Sequence, residues 1–133
     1  MAEAHSIAMN AALYSNEVGF AQPTFAGSLP FNDQATDQTL VSAARMGDPQ
    51  AFETLVKRHR RRIFALALRY TRVREDAEDV VQQTFQKTFL HLSSFAEKSS
   101  FSTWLTRIAI HEALMCLRRA RALREVFIVF SST

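Results

Sequence analysis

The sequence predicts an all-α fold, a compact bundle of about four helices, and three observations carry that expectation. Apolar residues recur at steps of three and four through four separate segments, the spacing that lines one side of a helix. Only three Gly and three Pro interrupt 133 residues, with 47% of side chains hydrophobic and 22% charged, which is the balance of one ordered domain. The corner Gly47-Asp48-Pro49 joins a residue suited to the left-handed position after a helix, a capping carboxylate and a proline that fits a first helical turn.

Residues 1–36 mix Ala, Ser, Asn, Gln and Thr with Gly19, Pro23, Gly27 and Pro30, and their apolar residues keep no sustained period, so a flexible leader is expected there. From Asp37 the pattern changes. Leu40, Val41 and Ala44 mark one side of a short helix that ends at the Gly47 corner. A second helix is expected over about residues 49–71, with Phe52, Leu55, Val56, His59, Ile63, Leu66, Ala67 and Tyr70 inward. Lys57, Arg58, Arg60, Arg61 and Arg62 form its outer face, a run that suits a nucleic acid but more often serves as the wet side of an amphipathic helix.

A third helix is expected to start near Glu75 and Asp76, whose charges suit the positive end of the helix dipole, and to reach about Ser93. Ala77, Val81, Phe85, Thr88 and Leu92 make its inward stripe, while Asp79, Gln82, Gln83 and Gln86 fall at i, i+3, i+4 and i+7 on another side. That second stripe is mostly neutral amide. Lys or Glu would serve solubility as well, so the stripe suggests a partner, with a plain solvent face as the equal alternative. The loop that follows, Phe95-Ala96-Glu97-Lys98-Ser99-Ser100, is polar between two aromatic residues, Phe95 and Phe101. A fourth helix, capped by Ser102 and running to Arg124, is expected to turn Trp104, Leu105, Ile108, Ala109, Ala113, Leu114 and Leu117 inward and Arg107, His111, Arg118, Arg119, Arg121 and Arg124 outward. Residues 125–133, with the run Phe127-Ile128-Val129-Phe130, break the pattern and form an off-pattern apolar tail.

Charge and absent motifs narrow the chemistry. All sixteen Lys and Arg lie between Arg45 and Arg124, thirteen of them Arg, and residues 37–126 carry ten acidic side chains against them. A polyanion is one reading of that surplus, and an ordinary solvated surface is the other. Guanidinium groups beside an aromatic loop would suit a single strand, the arginines holding phosphates while the loop receives unstacked bases. His5, His59, His91 and His111 make no i, i+4 pair, the glycines are scattered, and no nucleophile with a base and an orienting carboxylate can be assembled, so neither metal nor cofactor is expected and the chain reads as no enzyme. The lone Cys116 and the lack of a secretory leader or of a run of about 18–20 apolar residues point to the cytoplasm, without membrane insertion.

Three strings taken together resemble region 2 of bacterial extracytoplasmic-function sigma factors: Ala44-Arg45-Met46-Gly47-Asp48-Pro49-Gln50-Ala51-Phe52, then Asp76-Ala77-Glu78-Asp79-Val80-Val81-Gln82-Gln83-Thr84-Phe85, then Ser100-Phe101-Ser102-Thr103-Trp104-Leu105-Thr106-Arg107-Ile108-Ala109. The resemblance covers residues 37–124 and implies a helical domain that docks on the clamp helices of the largest catalytic subunit of core RNA polymerase and opens the −10 promoter element. It assigns Asp79, Gln82, Gln83 and Gln86 to polymerase. To the non-template strand it assigns Phe95, Ala96, Glu97, Lys98, Ser99, Ser100, Arg107, His111, Arg118 and Arg119. An anti-sigma factor is a further partner the resemblance admits. Two positions depart from the family pattern: Gln83 stands where Glu is common, and His111 where Asn is common. The family's second helical domain, region 4, is expected to be missing. Two other function classes stay open on the sequence: an autonomous helix-turn-helix regulator of duplex DNA, and a helical interaction protein that sequesters polymerase.

Overall fold

The structure, a computed structural model, describes residues 34–132. These form four α-helices, α1 (Asp37–Arg45), α2 (Pro49–Thr71), α3 (Arg74–His91) and α4 (Phe101–Ser131), with a short 3-10 turn at Leu92–Ser94, and no strand occurs among the described residues. The all-α bundle expected from the periodicity is therefore the fold. The reading of residues 1–33 lies outside the described residues.

Local chemistry sets most of the boundaries. The Thr36 hydroxyl accepts from the Thr39 N–H and opens α1, while the Asp48 carboxylate accepts from the Gln50 N–H and opens α2 with Pro49 in its first turn. Between them Gly47 adopts φ +95°, the left-handed conformation that a side chain resists, so the corner is glycine's to make. At the other end of α2, Arg72 takes the left-handed position at φ 59°, and its N–H closes on the Leu68 carbonyl. A two-residue link then reverses the chain into α3, one residue before the acidic pair that marked its start in the sequence.

The long α2 packs against all three other helices, and α3 and α4 close the bundle on it. Leu40 and Val41 of α1, Leu55, Val56 and Ile63 of α2, Val80 and Phe85 of α3 and Leu105 of α4 are wholly enclosed. Burying each such side chain contributes roughly 1.5–3 kcal/mol. Thr84 and Thr88, also enclosed, return their hydroxyl protons to the Val80 and Thr84 carbonyls one turn back, so neither leaves a polar group without a partner.

The structure departs from the sequence expectation at four points. Ser100, not Ser102, caps α4, because its hydroxyl accepts from the Thr103 N–H. Helix α4 also does not stop at Arg124 but runs on to Ser131. Nothing between those residues breaks a helix, β-branched and aromatic residues carry only a small helical penalty, and with no strand beside them the intrahelical bonds are the ones available to the backbone. Leu114 is 43% exposed and Tyr70 36% exposed, although both fall on the inward spacing, because each lies at the rim where no opposing helix covers it.

His59, the one buried histidine among the described residues, meets Asp37: its Nε2 lies 2.8 Å from the Asp37 Oδ2, while the Arg58 guanidinium donates to Oδ1 at 2.8 Å. Burial holds the His59 imidazole below its usual pKa of 6.5, the Asp37 carboxylate partly offsets this, and Arg62 and Arg58 add to the lowering. In the unfolded chain the imidazole takes up its proton near its usual value, and in the folded chain only at lower pH. Stability is accordingly full above about pH 6.5 and falls as the pH drops through that value. The melting temperature should decline on moving from about pH 7.5 to about pH 5.5, and H59Q should flatten that decline. A wild-type melting temperature that rises on acidification would contradict the assignment.

Candidate functional site

The amide stripe read from the sequence forms one side of α3. Asp79 and Gln83 are exposed and Gln82 and Gln86 half-buried, so all four are presented on the surface while Val80, Val81, Thr84 and Phe85 turn into the core. An unbroken helix is what aligns them, since residues three and four apart lie on the same side. Beside Gln86, Lys87 turns the other way and pairs its ammonium with the carboxylate of Glu112 on α4. That carboxylate belongs to a residue only 3% exposed, placed among Ala109, Ala113 and Cys116 on the inward side of α4. The sequence reading missed this pair, although an acid inside an apolar stripe is the signal that could have found it.

The loop between the 3-10 turn and α4 is divided in its exposure. Ala96, Glu97, Lys98 and Ser100 are exposed and Ser99 is half-buried. Phe95, expected to face bases, is instead 7% exposed and belongs to the core. Its ring stacks on Trp104 at 4.6 Å between centroids and meets the edge of Phe101 at 6.3 Å, and Phe101 in turn meets His59. Burying three large rings outweighs what a lone exposed ring offers, so the aromatic residues make the floor of the loop and leave its surface to small polar groups. Above this floor Arg45, from the last turn of α1, reaches across to the loop. Its Nε donates to the Leu92 carbonyl at 3.1 Å, its Nη2 donates to the Phe95 carbonyl, and its Nη1 lies 3.8 Å from the Glu97 carboxylate. The sequence reading gave Arg45 no role, because interactions spanning some fifty residues leave no local period.

Arg107, His111, Arg118 and Arg119 are all exposed on α4. Arg107 and His111 stand one turn apart near the loop. Arg118 continues their line about 25 Å up the helix from Phe101, while Arg119 lies about 100° around the axis from Arg118. Along α4, Arg107 and His111 thus lie toward the loop end of the helix, and Arg118 and Arg119 lie farther up it. Cys116, also on this stretch, has its thiol pushed up by burial and by the Asp76 carboxylate, against the opposing pull of Arg119. No group of three or more His, Cys, Asp or Glu suited to a metal occurs among the described residues, and no described helix is long and apolar enough to cross a membrane.

The sequence pattern of Sigma-70 region 2 matches residues 55–123. An ECF RNA polymerase sigma-E factor of Haemophilus influenzae is 43% identical over 81 residues, 61% of this chain and 42% of that protein. The sigma-E factor of Escherichia coli is likewise 43% identical, over 82 residues, 62% of this chain and 42% of its own length. The matched part therefore spans well under half of those relatives. Among solved structures, an NMR structure of an engineered region 2 of sigmaE in complex with GTAAAA superposes with a TM-score of 0.63 at 41% identity, covering 70% of this chain and 96% of that one. With half the sequence matching one family pattern and the helices arranged as in a solved member, the chain belongs to the sigma-70 region 2 family.

Proposed function

We propose that residues 37–124 act as the polymerase-binding and −10-element-binding domain of a sigma-type transcription initiation factor. The observation that carries this reading is a polar loop, residues 96–100, held exposed over a buried aromatic floor at the foot of an arginine-lined helix. The same bundle presents a separate amide-rich face on α3. A 41% identical region 2 solved in complex with GTAAAA supports a nucleic-acid strand as a ligand of this domain. Asp79, Gln82, Gln83 and Gln86 serve core RNA polymerase at its clamp helices; Ala96, Glu97, Lys98, Ser99, Ser100, Arg107 and His111 receive the non-template strand, and Arg118 and Arg119 hold its phosphates farther along.

The mechanism needs no bond-breaking step. Melting costs a few kcal/mol of unpairing, and a loop that binds only an extruded base offsets part of that cost, which shifts the duplex toward its open form. Phosphate binding along α4 adds a sequence-independent term and fixes the register. With core polymerase, the chain should retain a template whose −10 region is pre-melted more tightly than the fully paired template. Equal retention of the two would remove the strand-capturing role. Replacing Arg118 and Arg119 together with Ala should weaken that retention and lower the magnitude of its salt slope by about 1.4, roughly 0.7 for each single-strand phosphate that an arginine no longer neutralises. An unchanged slope would take the two arginines off the DNA.

The helix-turn-helix alternative fits less well. Arg58 on α2 is tied to Asp37 and the Ala35 carbonyl, Lys57 to Glu53, and Arg62 to the Ser102 carbonyl, so much of that basic face is engaged within the bundle.

A further inference from the structure

We infer that Arg45 is a positioning residue for strand capture: its guanidinium fixes the shape of the loop at residues 95–100 without touching the nucleic acid. This rests on the loop's role proposed above. From sequence, Arg45 is a cation in the last turn of α1, where any basic residue suits the negative end of the helix dipole. The structure gives it a second task. One planar group donates to two carbonyls and pairs with a carboxylate in succession along the chain: the Leu92 carbonyl in the 3-10 turn, the Phe95 carbonyl where the loop begins, and the Glu97 carboxylate at its middle. The guanidinium carbon also lies 5.7 Å from the centre of the Phe95 ring, over the aromatic floor.

Two features make this more than a surface ion pair. Glu97 holds φ 56°, a left-handed conformation that a non-glycine residue adopts at a cost, and its side chain meets the guanidinium in that conformation. Both hydrogen-bond acceptors are main-chain carbonyls, so the interaction constrains the backbone of the loop as well as a side chain. Only a fork of fixed donors can serve acceptors in such different directions, and a lysine ammonium, a point charge on a flexible stem, cannot reproduce it. A loop ordered in advance spends less of its binding energy on becoming ordered when a base arrives. Phosphate binding, which comes from α4, gains nothing from the clamp. Base capture and backbone affinity should therefore separate when Arg45 is changed.

The test uses the full chain and the fluorescently labelled hexamer GTAAAA, with versions of the hexamer carrying one abasic position each, titrated by anisotropy at several salt concentrations. The wild-type protein should bind the intact hexamer about tenfold more tightly than the most affected abasic version. R45A should bring that ratio close to one with its salt slope unchanged, and R45K should restore only part of it. I63V, a core change outside the loop that lowers stability modestly, should keep the ratio. An undiminished ratio in R45A would overturn the inference, as would an equal loss in I63V, which would make the effect one of general stability. A reduced salt slope in R45A would also overturn it, by placing Arg45 on a phosphate. Lack of any base-dependent ratio in the wild-type protein would instead overturn the loop's role itself, and the inference with it.

Discussion

Replacing Lys87 with Met should destabilise the domain by about 3 kcal/mol, while Glu112→Gln should cost about half as much or less. The asymmetry follows from where the two charges sit. Glu112 is 3% exposed on the inward side of α4, and the Lys87 ammonium is the group that meets its buried oxygen. The lysine side chain is 44% exposed. Without Glu112 its ammonium turns to water, whereas without Lys87 the carboxylate is left in the apolar interior. Breaking a buried pair from the wrong side costs about 3–5 kcal/mol, and the half-exposed lysine places this case at the lower end. Methionine preserves the stem's packing, so the loss reports the charge. Urea unfolding followed by helical circular dichroism would measure it, and a double change, K87M with E112L, should recover much of the loss because volume is roughly kept and no charge is buried. Equal destabilisation by K87M and E112Q would mean that water already reaches the carboxylate.

The second large effect concerns the amide stripe. Changing Asp79 and Gln82 together to Ala should weaken association with core RNA polymerase by about 100-fold. A hydrogen bond made by a charged group contributes about 1.5–3 kcal/mol and a neutral one about 0.5–1.5, and each 1.4 kcal/mol is tenfold in affinity. Asp79 is exposed and Gln82 half-buried, both outside the buried core, so the helical signal should hold and the melting temperature should change little. Gln83→Glu, which restores the charge common in this family, should act in the opposite direction by up to about tenfold. Competition between the variants and the wild-type chain for immobilised core enzyme would give the ratios directly. Undiminished binding by the double variant would move the polymerase face off α3.

Elements with strong local rules were legible in the residues alone. The span of α2 followed from seven apolar residues and His59 at helical spacing between a capping Asp48-Pro49 and the end of the pattern at Thr71. The stripe of Asp79, Gln82, Gln83 and Gln86 followed from periodicity alone, because a helix turns any i, i+3, i+4, i+7 series to one side. The loop was found as well, since a polar run between two helical periods has nowhere else to go. Hidden from the sequence were the direction of Phe95, whose ring could equally have faced solvent, and the end of α4, whose last residues read as an off-pattern apolar tail. The inward spacing also overreached at Tyr70 and Leu114, where burial depends on a neighbouring helix rather than on the residue's own phase.

By itself, the sequence determined the helical class, the corner at Gly47, the faces of α2 and α3, the basic side of α4 and the family resemblance. All of these are written in residues near one another along the chain, where backbone hydrogen bonding and side-chain phase act locally. Only the tertiary structure decided that Arg45 holds the loop, that Lys87 answers Glu112, that Asp37 holds His59, and that Phe95 is floor rather than surface. Those interactions join residues far apart along the chain, 22 between Asp37 and His59 and 50 between Arg45 and Phe95. Which distant groups meet is set by how the helices pack, and that packing minimises exposed apolar area for the whole bundle rather than for any one segment.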